Sequence, residues 1–263
     1  MESKKSNQSH HRVGYQAPAV QKAFQLLEIV AESRNGLGVT EIAQRLGFSK
    51  STTHGLIQGL LKTGALEQSP HQKTFFLGPA VVELAFRSWN YWHVQKQAQP
   101  ILEALRDQID ETVFLGVLSR SHGIITATAV TSKPLKISAP PGTTIPLLAG
   151  AVGKVFLAGL KIEQIKAIIR EQGLRRFTPQ SIVSEEQYLT ELAAVRKKGY
   201  ALDNEEYLPG VKAVAVSLGN HRGLPLAIWV VGFAGAMTDQ KLPIITQSIR
   251  LAAEKLKSVI DEN

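Results

Sequence analysis

The chain has 263 residues, a length that points to two domains rather than one. With 44% hydrophobic and 20% charged residues it has the makings of a packed core, which excludes global disorder. The formal net charge of +8 favours an anionic partner, such as nucleic acid or a membrane surface.

That charge is concentrated at the front. Residues 1–78 hold nine Lys and Arg against five Glu, a net +4, while the much longer remainder holds 21 against 17, also +4. A plain solubility charge is the alternative reading. The absence of cysteine removes disulfides, a thiol nucleophile and thiolate metal sites, and agrees with a reducing cytosol. Residues 1–12 are polar and basic, and no uncharged apolar run reaches about 18 residues. A cytoplasmic protein is therefore expected, with no membrane partner and a flexible basic tail over residues 1–15.

From Pro18, the residues Val20, Ala23, Phe24, Leu27, Val30 and Ala31 recur at helical spacing, and the pattern stops at Arg34-Asn35-Gly36. A short amphipathic helix follows from Val39 to Leu46 and ends at Gly47, which tolerates the left-handed backbone of a tight turn. Ser49 can cap a third helix, whose buried stripe is Thr53, Leu56, Ile57 and Leu60. Two short helices joined through a glycine behind a support helix make a helix-turn-helix pattern.

The third helix is the candidate reader of a DNA groove. Its other face offers Ser51, His54, Gly55, Gln58 and Lys62, with Lys50 and Thr52 near its start. Lys50, Lys62 and, further on, Lys73 suit phosphates, whereas Ser51, His54 and Gln58 suit base edges, Gln58 through the two-point geometry of adenine. Thr40 and Ser49 complete the DNA-facing set. Any one of these residues alone reads more readily as part of a solvated polar face; it is their joint placement that points to DNA. Beyond Gly64, Ala65-Leu66-Glu67-Gln68 and Thr74-Phe75-Phe76-Leu77 flank a turn-rich stretch and read as a β-hairpin wing with Lys73 at its tip.

Pro79 opens a further helix with an aromatic cluster, Phe86, Trp89, Tyr91 and Trp92, which fits either a core or a contact with a second copy. Val94, Ala98, Ile101, Leu102, Leu105 and Ile109 then repeat at helical spacing. From Thr112 the character changes to β-hairpins, with strands expected over 112–118 and 124–130, then 211–218 and 226–233. Helices are expected over 149–160, 163–172 and 184–198, the last opened by the capping pattern Ser184-Glu185-Glu186-Gln187, and a final helix repeats Leu242, Ile245, Ile249, Ala252, Leu256 and Ile260. Hairpins with helices between them argue for an α+β domain built on an antiparallel sheet.

Four stretches carry a resemblance to a known family. Ser49-Lys50-Ser51-Thr52-Thr53-His54 lies in the reader helix, and Leu77-Gly78-Pro79 closes the wing. Gly153-Lys154-Val155-Phe156-Leu157-Ala158 lies in the second domain, as does the spaced set from Gly199-Tyr200-Ala201-Leu202-Asp203-Asn204-Glu205-Glu206 through Gly210 and Ala213-Val214-Ala215 to Asn220. From about Pro18 to Ile260 the chain resembles the IclR family of bacterial transcriptional regulators. The resemblance implies an N-terminal winged helix-turn-helix over 16–78, a linker helix making dimer contacts over 79–95, and a GAF-like effector domain with a six-stranded antiparallel sheet over 96–263. It also implies dimers or dimers of dimers on operator DNA, and an effector pocket lined here by Gly150, Ala151, Asp203, Ala213, Val230 and Gly232. Where the family usually has an arginine after the reader-helix histidine, this chain has Gly55, with Gly59 one turn later. Relatives that bind small keto-acids often carry serines at the positions of Val230 and Gly232, so a larger, apolar or aromatic effector is expected here.

Two other readings stand beside the ligand-responsive regulator. One is an enzyme built on the carboxylates Asp203, Glu205 and Glu206, although the seven histidines show no metal-ligand spacing and no phosphate loop or catalytic triad is evident. The other is a DNA-binding protein whose second domain only oligomerises. No cofactor or metal is expected.

Overall fold

The computed structural model describes residues 17–88, 91–119, 122–221 and 223–261, the side chains of 86–88, 91–93 and 261 excepted. The aromatic positions Phe86, Trp89, Tyr91 and Trp92 lie outside the described side chains, and the expected tail over 1–15 and the turn positions Arg120, Ser121 and Arg222 lie outside the described residues. The chain divides into two compact units, residues 1–90 and 91–263.

In the first unit, helices α1 (Pro18–Glu32), α2 (Val39–Leu46) and α3 (Lys50–Lys62) pack around Leu26, Val30, Leu37, Ile42, Ile57, Leu66 and Phe75. Gly47 caps α2 in the left-handed conformation at φ 66°, and the Ser49 hydroxyl caps α3 by accepting from Thr52 N at 3.2 Å. Strands β2 (Leu66–Gln68) and β3 (Thr74–Leu77) form the expected wing hairpin. A two-residue strand, β1 (Leu37–Gly38), pairs with β3 to give the order β1-β3-β2, an addition too short to leave a periodic signal in the sequence. Helix α4 (Pro79–Ser88) follows.

One expectation for α1 needs correction. The helix is present, but it buries Leu26 and Val30, whereas Val20 and Phe24 are 55% and 62% exposed. Val30, with Leu27 packed beside it, belongs to both the expected stripe and the core face, so the stripe is offset by about a quarter turn, because α1 carries apolar residues on more than one side.

The second unit is a six-stranded antiparallel sheet in the order β6-β5-β4-β9-β8-β7. Its strands are β4 (Thr112–Leu118), β5 (His122–Ala129), β6 (Thr144–Pro146), β7 (Ala201–Asn204), β8 (Val211–His221) and β9 (Leu224–Phe233). The helices are α5 (Tyr91–Ile109), α6 (Gly150–Ala158), α7 (Ile162–Gln172), α8 (Glu185–Lys198) and α9 (Leu242–Asp261). Strand residues alternate between faces. Phe114, Ala213, Ala215, Ala227 and Trp229 therefore join the core with α6, α7 and α8, while α5 and α9 pack on the sheet's other face. This is the α+β architecture expected from the hairpins.

Candidate functional site

Two features stand out, one in each unit. In the first, Lys50, Ser51, His54, Gln58 and Lys62 are all exposed on α3, with Ser51, Gln58 and Lys62 on the side away from the buried Thr53 and Ile57. Thr40, on α2, is exposed as well. At the start of α3 the hydroxyls cluster: Ser49 Oγ lies 3.0 Å from Ser51 Oγ and donates to Thr52 Oγ1 at 2.8 Å, while Thr53 donates to the Ser49 carbonyl at 3.1 Å. Lys73 sits at the wing tip with a left-handed φ of 49°, exposed. The helix thus has a dry stripe that docks it and a wet face free for a partner. Gly55 and Gly59 lie on that wet face, and a Cβ built on either meets nothing within 4 Å. The structure therefore brings Ser51, His54, Gln58 and Lys62 onto one exposed surface, with Lys50 exposed at the helix start and Thr52 half-buried.

The second feature is a cavity of about 230 Å³ between the sheet, the start of α6 and the segments before β6 and after β7. Gly150, Ala151, Asp203 and Ala213 line it, as expected. Val230 and Gly232 do not. Their β9 neighbours Trp229 and Val231 face the cavity, while a Cβ on Gly232 would strike Glu111 and Met237. The expectation was one residue out of phase on β9, and a slip of one residue changes the face. The missing hydroxyls at 230 and 232 therefore say nothing about the pocket. The cross-strand register does: Asp203 pairs with Ala213, Ala213 with Val231 and Ala215 with Trp229, so these side chains share one face.

The lining is largely apolar, with Phe114, Ile125, Tyr207 and Trp229 among its walls. Ser138, Thr143 and Thr144 supply hydroxyls, and α6 begins here behind Ala149, which provides no side-chain cap. Uncapped first-turn N–H groups at a helix start suit a carboxylate. Asp203 is buried and accepts from Glu206 N at 2.6 Å. Burial raises its carboxyl to about 6; the backbone N–H groups and the Lys154 ammonium work against that rise, and the nearby Glu206 charge adds to it. Two larger clefts, of about 570 Å³ along α9 and about 460 Å³ between Leu148 and Phe177, contain no buried residue in their linings.

The other members of the acidic cluster have structural partners. Glu206 binds Lys154 Nζ at 2.7 Å, and Lys154 also donates to Glu191 at 3.1 Å and the Leu202 carbonyl at 2.9 Å. Glu205 Oε2 accepts from Gly210 N at 2.9 Å. The Thr178 and Ser181 hydroxyls hold the Glu205 and Glu206 carbonyls, each at 2.7 Å. The three carboxylates diverge, and among the described residues no group of three or more His, Asp or Glu converges as a metal site.

A winged helix-turn-helix on one chain with a cavity-bearing α+β unit defines the class of DNA-binding regulators with a separate sensory domain. The sequence matches the IclR helix-turn-helix domain over residues 19–70 and the bacterial transcriptional regulator IclR C-terminal domain over 87–258. The chain belongs to the IclR family of bacterial transcriptional regulators. It is 31% identical to the HTH-type transcriptional regulator BhcR of Paracoccus denitrificans, with 90% of this chain and 85% of that one covered. The crystal structure of an IclR transcriptional regulator from Alicyclobacillus acidocaldarius superposes with a TM-score of 0.76 at 27% identity, covering 93% of this chain and 99% of that one. The inducer-binding domain of the PobR transcription factor from Acinetobacter, solved as a double mutant with 3-hydroxybenzoic acid, is 30% identical with a TM-score of 0.57, covering 62% of this chain and 97% of that domain.

Proposed function

We propose that this regulator grips operator DNA through α3 and its wing as a homodimer or dimer of dimers, and changes its grip when a small apolar or aromatic acid fills the Asp203 cavity. Lys50, Lys62 and Lys73 contact phosphates, Ser51, His54 and Gln58 meet base edges, and Ser49, Thr52 and Thr40 flank them. The observation that carries this reading is the exposed polar face of α3, set against the buried Thr53 and Ile57. The effector acts by binding two states of the dimer with different affinity, so that occupancy shifts their populations. The aromatic preference is supported by the cavity's Phe114, Tyr207 and Trp229 walls and by the 3-hydroxybenzoic acid held in the PobR domain.

The acidic residues do structural work in this reading, and the protein has no catalytic role. No described helix is long and apolar enough to cross a membrane. A cytoplasmic location follows from the DNA target.

The test is binding of the purified protein to duplexes drawn from its own genome, with and without aromatic acids, across a salt series. Sequence-selective binding that weakens steeply with salt is expected. Failure to select any duplex under either condition sinks the reading. If duplexes are selected but no acid from a broad panel raises the melting temperature at saturation, the second unit serves oligomerisation alone.

A further inference from the structure

Apart from Phe114, the strand neighbours of Trp229 on its face of the sheet include small residues. On the cavity face of the sheet it pairs directly with Ala215 of β8 and Phe114 of β4, and the next position on its own strand, Ala227, pairs with Gly116. A Cβ built on Gly116 would come within 2.7 and 2.9 Å of the six-membered ring of Trp229 and 2.5 Å of the Ile124 carbonyl. Real Cβ atoms essentially never approach so closely, so any side chain at 116 must push either the indole or strand β5 aside. The indole is buried and tilted 31° from the Phe114 ring at a centroid distance of 5.6 Å. Together the two rings make one wall of the cavity.

We propose that this cavity is a slot for one planar aromatic ring stacked on Trp229, and that Gly116 sets the specificity by leaving the indole room to lie back against the sheet. The inference rests on the effector reading above and narrows its ligand to a single-ring aromatic acid. Size agrees: an apolar cavity of roughly 150 Å³ takes up benzene. The 230 Å³ here leaves space for one ring and a carboxyl directed at the start of α6. A small keto-acid leaves the aromatic wall without a partner, and a puckered ring of the same size gives up the aromatic–aromatic part of the contact with the indole.

Tryptophan fluorescence and calorimetry on the full chain test this with benzoate, 4-hydroxybenzoate, cyclohexanecarboxylate and pyruvate. The unmodified protein should bind the two benzoates about threefold to tenfold more tightly than cyclohexanecarboxylate. Gly116→Ala should weaken benzoate binding by at least about tenfold, with the α3 unit still binding DNA. Trp229→Leu should erase the preference for the planar ring, and it decides the matter should Gly116→Ala fail to fold. Saturable binding of pyruvate or cyclohexanecarboxylate as tight as that of benzoate overturns the stacking slot and leaves the effector reading standing. Binding of none of the four acids overturns the slot, and the effector reading falls with it only if the broad panel is negative as well.

Discussion

The Lys154 ammonium sits 2.7 Å from the Glu206 carboxylate with its side chain only 1% exposed. Glu206 in turn donates its backbone N–H to Asp203, so one buried cation fixes the turn after β7 that holds the cavity's acid in place. Removing that cation leaves a largely buried carboxylate unpaired. Lys154→Met should therefore lower the unfolding free energy of the second unit by about 3 kcal/mol. Glu191, the other acidic partner, has a side chain 32% exposed, and Glu191→Gln should cost under about 1 kcal/mol. Urea denaturation of both variants checks the contrast, and equal costs would show that burial does not grade this network.

Asp203 makes stability depend on pH in a direction opposite to that of most carboxylates. Its folded value of about 6 lies above its ordinary 3.8, so the folded protein holds this proton more tightly than the unfolded chain does. The contribution is fully present below the ordinary value and is lost as pH rises through about 6. Asp203→Asn keeps an oxygen for Glu206 N and removes the charge. The variant should match the unmodified protein near about pH 4 and exceed its stability by up to about 3 kcal/mol near about pH 8. Denaturation curves at the two pH values decide it: a difference that does not grow with pH means the carboxyl is not raised.

The elements legible in the sequence are those whose signal is local. Strand β4 runs from Thr112 to Leu118 as its apolar run implies, and Ser49, Gly47 and Ser184 cap or end helices where their chemistry directs. Strands β1, β6 and β7 have two, three and four residues, too few for alternation to show, and exist because a neighbour supplies the hydrogen bonds. The cavity was legible in part. Asp203 lies in a signature stretch and Gly150 three residues before another, but the β9 face depends on register with β8, which is a long-range property. Once Asp203 is known to face inward, the pairs Asp203 with Ala213, Ala213 with Val231 and Ala215 with Trp229 fix the rest. Phe114 and Gly116 come to the cavity side only through the pairing of β4 with β9.

On α3, phosphate-directed and base-directed side chains should separate in a binding assay. Lys50→Ala should weaken all duplexes alike and reduce the salt slope by about one. Gln58→Ala should cost about 1–3 kcal/mol on the preferred duplex and relax selectivity at one base position. Titrations at several salt concentrations, on the preferred duplex and on point variants of it, separate the two. A Gln58→Ala loss equal on every sequence would remove this residue from base reading.

The glycines of the reader helix offer the sharpest test of its role. Gly55 and Gly59 are exposed inside a regular helix, where each costs about 1 kcal/mol relative to alanine. A Cβ at either position meets nothing within the protein, so Gly55→Ala and Gly59→Ala should each raise stability by about that amount. A helix that bears this cost on its outward face, one turn apart and interleaved with His54 and Gln58, is suited to close approach of another backbone. The same substitutions should therefore weaken operator binding, because the added methyl groups fall between α3 and the duplex. Thermal unfolding and DNA titration on the same preparations read the two effects together. A variant that is both more stable and unchanged in operator affinity would show that this face of α3 does not lie against DNA.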